Sequence, residues 1–341
     1  MSLQAYKAVV PANIAFLKYW GKRDVKSQLP ANNSLSMSLA SSVTTTFAQL
    51  VPEANEHQIY FAEDFVEKTS SFGKKAYAHL NFLAEQINAN SFLRVNTSNS
   101  FPTGCGIASS ASGFGALTLA AIAAWLKADS MDTLEKMGFN RHRLASLARM
   151  GSGSSCRSFW GGYVNWTAEG HSGEQGLTPL FTCEHWHLVD TIALFSASEK
   201  KVSSSRAHLD AWSSPLFKPR LAGIPEKEEQ MIQALKEKNI GVLGSMLEQE
   251  ALEMHSVMMT ANPSTCYLTA ESIKFLGWLR ELRRATGIAA YFTIDAGPNI
   301  HVICQQEEQD TLHLEIKKSF PQLELIIDHA GTGPTLAVET Q

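Results

Sequence analysis

The sequence is poor in the features that mark the commonest function classes. Its cysteines, at 105, 156, 183, 266 and 304, form no C-x-x-C pair. That leaves neither a paired-thiolate zinc site nor a dithiol redox motif. A scattered, odd set in a chain of 341 residues reads as reduced thiols, implying a cytoplasmic setting. Cys105 and Cys156 lie in two glycine-rich loops and read as small packing residues. No basic run exists; 29 Lys and Arg are interspersed with 33 Asp and Glu, for a net charge of −4. Nothing there calls for nucleic acid. The longest apolar run, Ala116 to Leu126 interrupted by Thr118, is shorter than the roughly 20 residues a bilayer requires. Lys7 and Lys18 break the N-terminal segment, so no signal peptide is expected.

Several catalytic and nucleotide motifs are also missing. Gly21-Lys22 and Gly73-Lys74 lack the upstream glycine of a Walker A loop. Gly104-x-Gly106 is followed by Ser109, and Gly151-x-Gly153 by Cys156, where a dinucleotide fingerprint needs glycine. H-E-x-x-H and G-x-S-x-G are absent, and His185-x-His187 reads as a pair of surface histidines. No internal repeat or low-complexity linker appears.

What is present is a chain with 44% hydrophobic residues, enough for one large or two medium domains. It is organised around Phe101 to Gly113. From Thr103 to Gly113 this stretch holds Gly104, Gly106, Gly113, Thr103, Ser109, Ser110 and Ser112, and it leads into an apolar helical pattern ending near Lys127. Unpaired N–H groups, hydroxyls and the positive end of a helix dipole together suit a phosphate. A tight turn with a serine N-cap explains any one of these residues but not the set.

In chain order, Tyr6–Val10, Leu35–Leu39, Thr44–Leu50, Leu93–Thr97, Gly161–Thr167, His187–Phe195 and Leu323–Asp328 read as strands. Lys74–Ile87, Ser109–Lys127, Arg141–Met150, Thr269–Thr286 and Glu307–Ser319 read as helices, as does Lys218–Met259 with a break near Asn239-Ile240-Gly241. Ala289–Asp295 and Asn299–Cys304 read as a hairpin. The second half thus fits helices on one face of a mostly antiparallel sheet.

The polar inventory suits a small polyanion: Lys18, Lys22, Arg23 and Arg157 supply charge, and Arg157 a planar fork matched to a carboxylate. Asp295 ends an apolar strand before Ala-Gly-Pro-Asn. It reads equally as a general base or as an Asx cap of the turn.

Taken together, these blocks resemble one family. Pro102 to Gly113 resembles the phosphate loop of the GHMP kinase superfamily. Asn13 to Asp24, with Lys-Tyr-Trp-Gly-Lys inside it, resembles the signature of the diphosphomevalonate decarboxylases. Gly151 to Ser158, Lys201 to Ser205, Phe292 to Asn299 and Asp328 to Pro334 match that family's other blocks in order. The resemblance implies an α/β (α+β), two-layer GHMP-kinase-type fold with mixed or antiparallel sheets, helices and a deep cleft between two lobes. Residues 1–188 would form the N-terminal lobe with phosphate loop 101–113, and 189–341 the C-terminal lobe with the catalytic Asp hairpin.

The implied activity is ATP- and Mg²⁺-dependent decarboxylation of mevalonate 5-diphosphate to isopentenyl diphosphate, ADP, phosphate and CO₂. The implied assembly is a cytoplasmic homodimer with no nucleic-acid or membrane partner. By position, Asp295 would be the base at the 3-hydroxyl, Arg157 with Asn13 would orient the carboxylate, and Lys18 would stabilise charge at the reacting centre. Tyr19, Lys22, Ser152 and Ser154 would hold the diphosphate, and Ser204 would sit near the transferring phosphoryl. Pro102, Gly104, Gly106, Ala108, Ser109 and Ser110 would cradle ATP, with Ser110 the candidate hydroxyl near Mg²⁺ and the other metal ligands open. Two departures stand out: Gly104-Cys105 where the family usually has two alanines, and Arg206 after Ser203 to Ser205. The alternatives are a decarboxylase of 5-phosphomevalonate or a related 3-hydroxy acid, a GHMP small-molecule kinase without decarboxylation, and a silent ATP sensor. A pure kinase or sensor has no need of the Asp295, Lys18 and Arg157 set.

Overall fold

The computed structural model describes residues 4–102, 109–168, 176–195 and 204–340. The first half contains β1 (Gln4–Leu17), β2 (Lys22–Asp24), β3 (Leu29–Pro30), β4 (Ser34–Val51), β5 (Gln58–Phe61), β6 (Asp64–Phe65), α1 (Ser71–Ile87), β7 (Phe92–Asn99), α2 (Ser109–Leu126), α3 (Met131–Lys136), α4 (Arg141–Gly151), β8 (Tyr163–Thr167) and β9 (Gly176–Phe181). The second contains β10 (Leu188–Leu194), α5 (Ser204–Asp210), α6 (Phe217–Glu237), α7 (Ile240–Thr260), α8 (Ala270–Thr286), β11 (Tyr291–Thr293), β12 (Ile300–Gln305), α9 (Gln309–Ser319), β13 (Glu324–His329) and β14 (Thr335–Thr340).

Two main sheets result. The larger runs β14-β1-β4-β7-β5-β6, with β8 added on β4 and β9 on β8; the smaller runs β11-β12-β10-β13. Every pairing in them is antiparallel except β5 with β7. The fold is therefore the mixed α/β architecture expected, and the Tyr291–Ile303, Phe292–Val302 and Thr293–His301 register is the expected hairpin. β14 lies late in the chain yet pairs with β1 in the larger sheet.

Two strands are longer than their sequence pattern indicates. β1 continues through Asn13 to Leu17 because from Val10 onward both its faces are buried, which erases the period-two alternation. β4 is continuous where two strands were expected; only its exposed Ala40 and Ser41 interrupt the pattern.

Helix α2 is apolar nearly all round, and 72% of it is buried. It packs with Leu80, Leu83 and Leu144 against Ala8, Val10 and Val95 of the larger sheet. A second core holds Phe16, Leu17, Leu35, Ile192 and Leu247, and a third joins Phe275 and Leu279 to Phe292 and Val302 of the smaller sheet. A fourth, smaller cluster gathers Trp20, Phe217, Met254 and Ala296. It anchors the segment that leaves β1.

The sheets are stitched by a buried carboxylate. Asp328 accepts from the backbone N–H groups of Ala40 and Ser41 at 2.8 Å each and of Ser42 at 2.6 Å. Gly331 N–H donates to Ser38 O at 2.7 Å just beyond it.

Gly21 turns the chain after β1. Its φ is +79°, and a Cβ there would lie 2.3 Å from Cζ of Phe217. Gly21→Ala is therefore expected to destabilise the protein by about 2–4 kcal/mol, combining left-handed strain with overpacking. Thermal denaturation measures it, and an unchanged midpoint would refute the packing account.

Candidate active site

The site begins where β1 leaves the sheet. Irregularities between Pro11 and Asn13 and between Ala15 and Leu17 bend the strand. Bulges of this kind re-aim side chains, and here they flank Asn13 and Lys18. The Lys18 side chain is 1% exposed. Its Nζ donates to Ala15 O and to Asp295 Oδ1, both at 2.7 Å.

The Lys18 peptide is held from behind by a second set of charges. Its N–H donates to Glu250 Oε2 at 3.1 Å; its carbonyl accepts from Asn32 Nδ2 at 2.9 Å and Arg220 Nη2 at 3.1 Å. Glu250, fully buried on α7, also accepts from Arg220 at 2.7 Å and Lys227 at 3.1 Å on α6.

Asp295 is delivered by the turn after β11. Its backbone carbonyl, not its carboxylate, closes that turn by accepting from Gly297 N–H at 2.7 Å. The same carbonyl accepts from His255 Nε2 at 3.2 Å. The carboxylate faces Lys18 at 2.7 Å and so does not serve as the Asx cap of that turn. Burial pushes the Asp295 carboxyl up, but Lys18, His301 and Arg157 outweigh it and hold it below the usual range. Burial pushes the Lys18 ammonium down, offset in part by Asp295.

Arg157 sits on a 3-10 turn, Gly153–Phe159, after α4. Its Nε and Nη2 donate to Asn13 Oδ1 at 3.2 and 3.0 Å, and Nη1 to Ser34 Oγ at 3.0 Å. Asn13 is fixed in turn by donating to Ser158 Oγ at 2.8 Å and to Ser154 O at 3.4 Å. Tyr19 packs against Trp166 with ring centroids 5.0 Å apart, and its hydroxyl is buried without a partner among the described residues. A Cβ at Gly153 would approach that hydroxyl to 2.5 Å, which accounts for glycine there.

Ser110 Oγ lies 3.2 Å from Ser152 Oγ, joining the start of α2 to the second glycine turn. Pro102, Ser109 and Ser110 border the phosphate-loop segment; Gly104, Cys105, Gly106 and Ala108 lie outside the described residues. So do Lys201 and Ser203, and of Ser204 only its place at the start of α5 is described.

Lys18, Tyr19, Lys22, Ser109, Ser110, Ser152, Ser154, Arg157 and Asp295 line one cleft of about 1280 Å³, while Asn13 stands behind Arg157 and is not on its wall. Its charged walls carry Lys18, Lys22, Lys75 and Arg157 against Glu67 and Asp295, four cations less two carboxylates, or +2. Burial first and then Lys75 depress the Lys22 ammonium. Such a surplus is relieved by a polyanion. Among the described residues no group of three or more His, Cys, Asp or Glu could hold a metal ion.

Sequence reasoning missed Lys75, His208, Arg220 and Glu250. Lys75 and His208 are single residues on helices and carry no local signature. Arg220 and Glu250 look like ordinary solvated helix charges until the fold buries them.

Two family models match the chain. The diphosphomevalonate decarboxylase-like N-terminal domain covers residues 10–178, and the mevalonate 5-diphosphate decarboxylase C-terminal domain covers 191–338. The diphosphomevalonate decarboxylase of Ganoderma lucidum is 31% identical over 97% of this chain and 86% of its own length. A solved mevalonate diphosphate decarboxylase from Enterococcus faecalis superposes with a TM-score of 0.86 at 28% identity, covering both chains completely. A solved complex described as MDDEF with MVAPP, AMPPCP and magnesium superposes at 0.88 with 29% identity, again covering both chains completely.

Removing Glu250 leaves Arg220 as an uncompensated buried cation and frees the Lys18 peptide. Glu250→Ala is expected to lower stability by about 3–5 kcal/mol. Thermal or urea denaturation checks this; a loss under about 1 kcal/mol would show that water replaces the carboxylate.

Proposed function

The chain belongs to the diphosphomevalonate decarboxylase family, and from that premise we propose that its cleft converts mevalonate 5-diphosphate and ATP to isopentenyl diphosphate, ADP, phosphate and CO₂. The observation that carries the residue assignment is the Lys18–Asp295 contact at 2.7 Å in the cleft that Arg157 also lines. The volume suits two ligands at once, since a single-ligand pocket is typically about 300–1,000 Å³. The complex with MVAPP, AMPPCP and magnesium supports the same pairing of ligands.

Each side chain has a task that its geometry suits. A tertiary hydroxide is a poor leaving group and phosphate a good one, so phosphorylating the 3-hydroxyl prepares C3 for ionisation. Asp295 accepts the hydroxyl proton. Its lowered pKa makes it a weak base, which suffices because phosphoryl transfer proceeds through a loose transition state with little need for an alkoxide beforehand. Lys18 neutralises charge between donor and acceptor. As phosphate departs it takes the proton back from Asp295, C3 becomes positive, and the Asp295 carboxylate so regenerated stabilises it. Arg157, oriented by Asn13, keeps the substrate carboxylate aligned while its C–C bond supplies the electron pair and CO₂ leaves.

Tyr19, Lys22, Ser152 and Ser154 hold the diphosphate end; the unpartnered Tyr19 hydroxyl fits such an acceptor. Ser109 and Ser110, at the start of α2 on the cleft wall, with Pro102, Gly104, Gly106 and Ala108, cradle the ATP phosphates, and Ser204 lies near the transferred group. Magnesium, when bound, neutralises the phosphates, and the Ser110 hydroxyl is the protein group offered to it. In this reading residues 1–188 supply the phosphate cradle and most of the acceptor pocket, and 189–341 supply Asp295. Cytoplasmic location and a homodimer belong to the same proposal. The free thiols of Cys156, Cys183, Cys266 and Cys304 suit the first; light scattering tests the second.

Incubation with Mg-ATP and mevalonate 5-diphosphate is expected to release ADP, phosphate and CO₂ in equal amounts. ADP without CO₂ would make the protein a kinase, and turnover of 5-phosphomevalonate alone would move the substrate. Asp295→Asn is expected to cut turnover roughly 10³–10⁴-fold with ATP binding retained; near-normal turnover would return Asp295 to a structural role.

The pH profile follows from the two shifts. Asp295 acts as a carboxylate, so its contribution is present above its lowered pKa and is lost only below the usual 3.8. Lys18 acts as a cation, so its contribution is present at lower pH and is lost as pH rises through a value below 10.5. The alkaline limb of kcat is therefore expected below pH 10.5 and is expected to move upward in Lys18→Arg. A limb that stays in place in that variant would reassign it to Lys22.

A further inference from the structure

His208 takes no part in the chemistry above, yet it stands inside the site. It lies on α5, is 8% exposed, and lines the cleft alongside Lys22, Arg157 and Asp295. Its ring is held between Tyr19, with centroids 4.5 Å apart, and Trp20, at 4.3 Å. Nδ1 lies 3.0 Å from the backbone nitrogen of Gly21. That nitrogen can only donate, so Nδ1 must present its lone pair and Nε2 must carry the proton.

Three facts then constrain Nε2–H. The ring's one hydrogen bond among the described residues is made through Nδ1, which leaves Nε2–H without a protein partner, on a ring that borders the cleft rather than being sealed in the core. The ring stays neutral: burial, then Lys22 and Arg157, push its pKa down to about 3. An N–H in such a place meets water until a ligand displaces it, and a ligand that displaces that water must offer an acceptor in its stead.

The neighbours say which ligand atom that is. Arg157, the group matched to a carboxylate, is turned toward Asn13 and Ser34 by three hydrogen bonds. On the other side, His208 stacks on Tyr19, whose hydroxyl is also unpartnered, and its Nδ1 grips the residue just before Lys22. Two donors without protein partners, beside an ammonium, fit the oxygens of a phosphate.

We propose that His208 Nε2–H donates to a phosphate oxygen of the substrate's diphosphate and so helps the enzyme select a diphosphate over a monophosphate. This rests on the mevalonate 5-diphosphate reading above. The logic of selection is that the donor adds position without adding charge. Lysines attract any phosphate. A fixed neutral N–H discriminates, because a ligand that lacks the matching oxygen leaves it unpaired.

Two substitutions separate this role from a structural one. In His208→Asn the side-chain oxygen can still accept from Gly21 N–H, but no donor reaches the Nε2 position. In His208→Gln the amide N–H reaches that position and the contact to Gly21 is given up. His208→Asn is expected to raise KM for mevalonate 5-diphosphate about 10–100-fold while changing KM for ATP less than twofold. It is also expected to shrink the preference over mevalonate 5-phosphate by a similar factor. His208→Gln is expected to recover most of both losses.

The opposite order, with His208→Asn like wild type and His208→Gln impaired, would show that the ring only anchors Gly21 and would overturn the proposal. A change confined to KM for ATP would overturn it as well. Calorimetric titration of mevalonate 5-diphosphate into the same three proteins decides the matter without turnover. If wild type binds that ligand but releases no CO₂, the decarboxylase reading fails while the ranking of the variants still tests His208. Thermal midpoints within a few degrees of wild type establish that each variant is folded.

Discussion

The structure depends on keeping a positive charge where water is nearly absent. Lys18 is 1% exposed, and an ammonium in such a place incurs a desolvation penalty of several kcal/mol. Asp295 at 2.7 Å returns about 6 kcal/mol at an effective dielectric constant near 20. The two terms nearly cancel, so the pair is a poor device for stability and a good one for position. The bends in β1, the Arg220–Glu250 brace on the Lys18 peptide and the turn that presents Asp295 all serve to hold that one contact. It is at once charged, shielded and open to the cleft on the Asp295 side.

The rest of the cleft follows a consistent division. Four cations against two carboxylates set the sign of the ligand. Neutral groups then set its shape. The Tyr19 phenol is pushed further from ionisation by burial, and His208 is neutral for the same reason, so neither contributes charge. Lys22 and Lys75 repel one another while the cleft lacks a polyanion, and burial already weakens the Lys22 ammonium. Binding energy from the phosphates is thus available to relieve an unfavourable arrangement, and the relief is greatest for a ligand that brings two phosphate-rich ends together.

Much of this was legible in the sequence where the signal is local. The glycine and serine stretch before α2, the all-round apolar helix, the break between α6 and α7 and the β11–β12 hairpin each declare themselves within about twenty residues. The long β1 was only half legible because burial on both faces removed its alternation. Asp295 was ambiguous for a deeper reason. Its local sequence suits a turn cap, and the choice is made by Lys18, 277 positions away. Glu250 stands 232 residues from the peptide it braces and His208 187 from the amide it accepts. No spacing rule spans such distances, so these residues looked like ordinary helix polars. The Lys-Tyr-Trp-Gly-Lys block carried the chemistry into view; the groups that hold it in place came only with the fold.

Those holding groups also explain how two distant parts of the chain can share the Lys18–Asp295 contact. β14 returns to pair with β1, so the strand that delivers Lys18 is fixed along one side by the end of the chain. Asp328, on β13 of the smaller sheet, accepts three successive backbone N–H groups from β4 of the larger one. A carboxylate with three amide donors cannot slide by one residue without losing most of them. β13 pairs with β10, β10 with β12, and β12 with β11, whose end carries Asp295. A chain of hydrogen bonds, backbone ladders joined through the Asp328 carboxylate, therefore runs from the strand beside β1 to the turn that carries Asp295. The 2.7 Å separation of Lys18 and Asp295 is set by that ladder before any substrate arrives, as electrostatic catalysis requires: the charges must already stand where the transition state will need them.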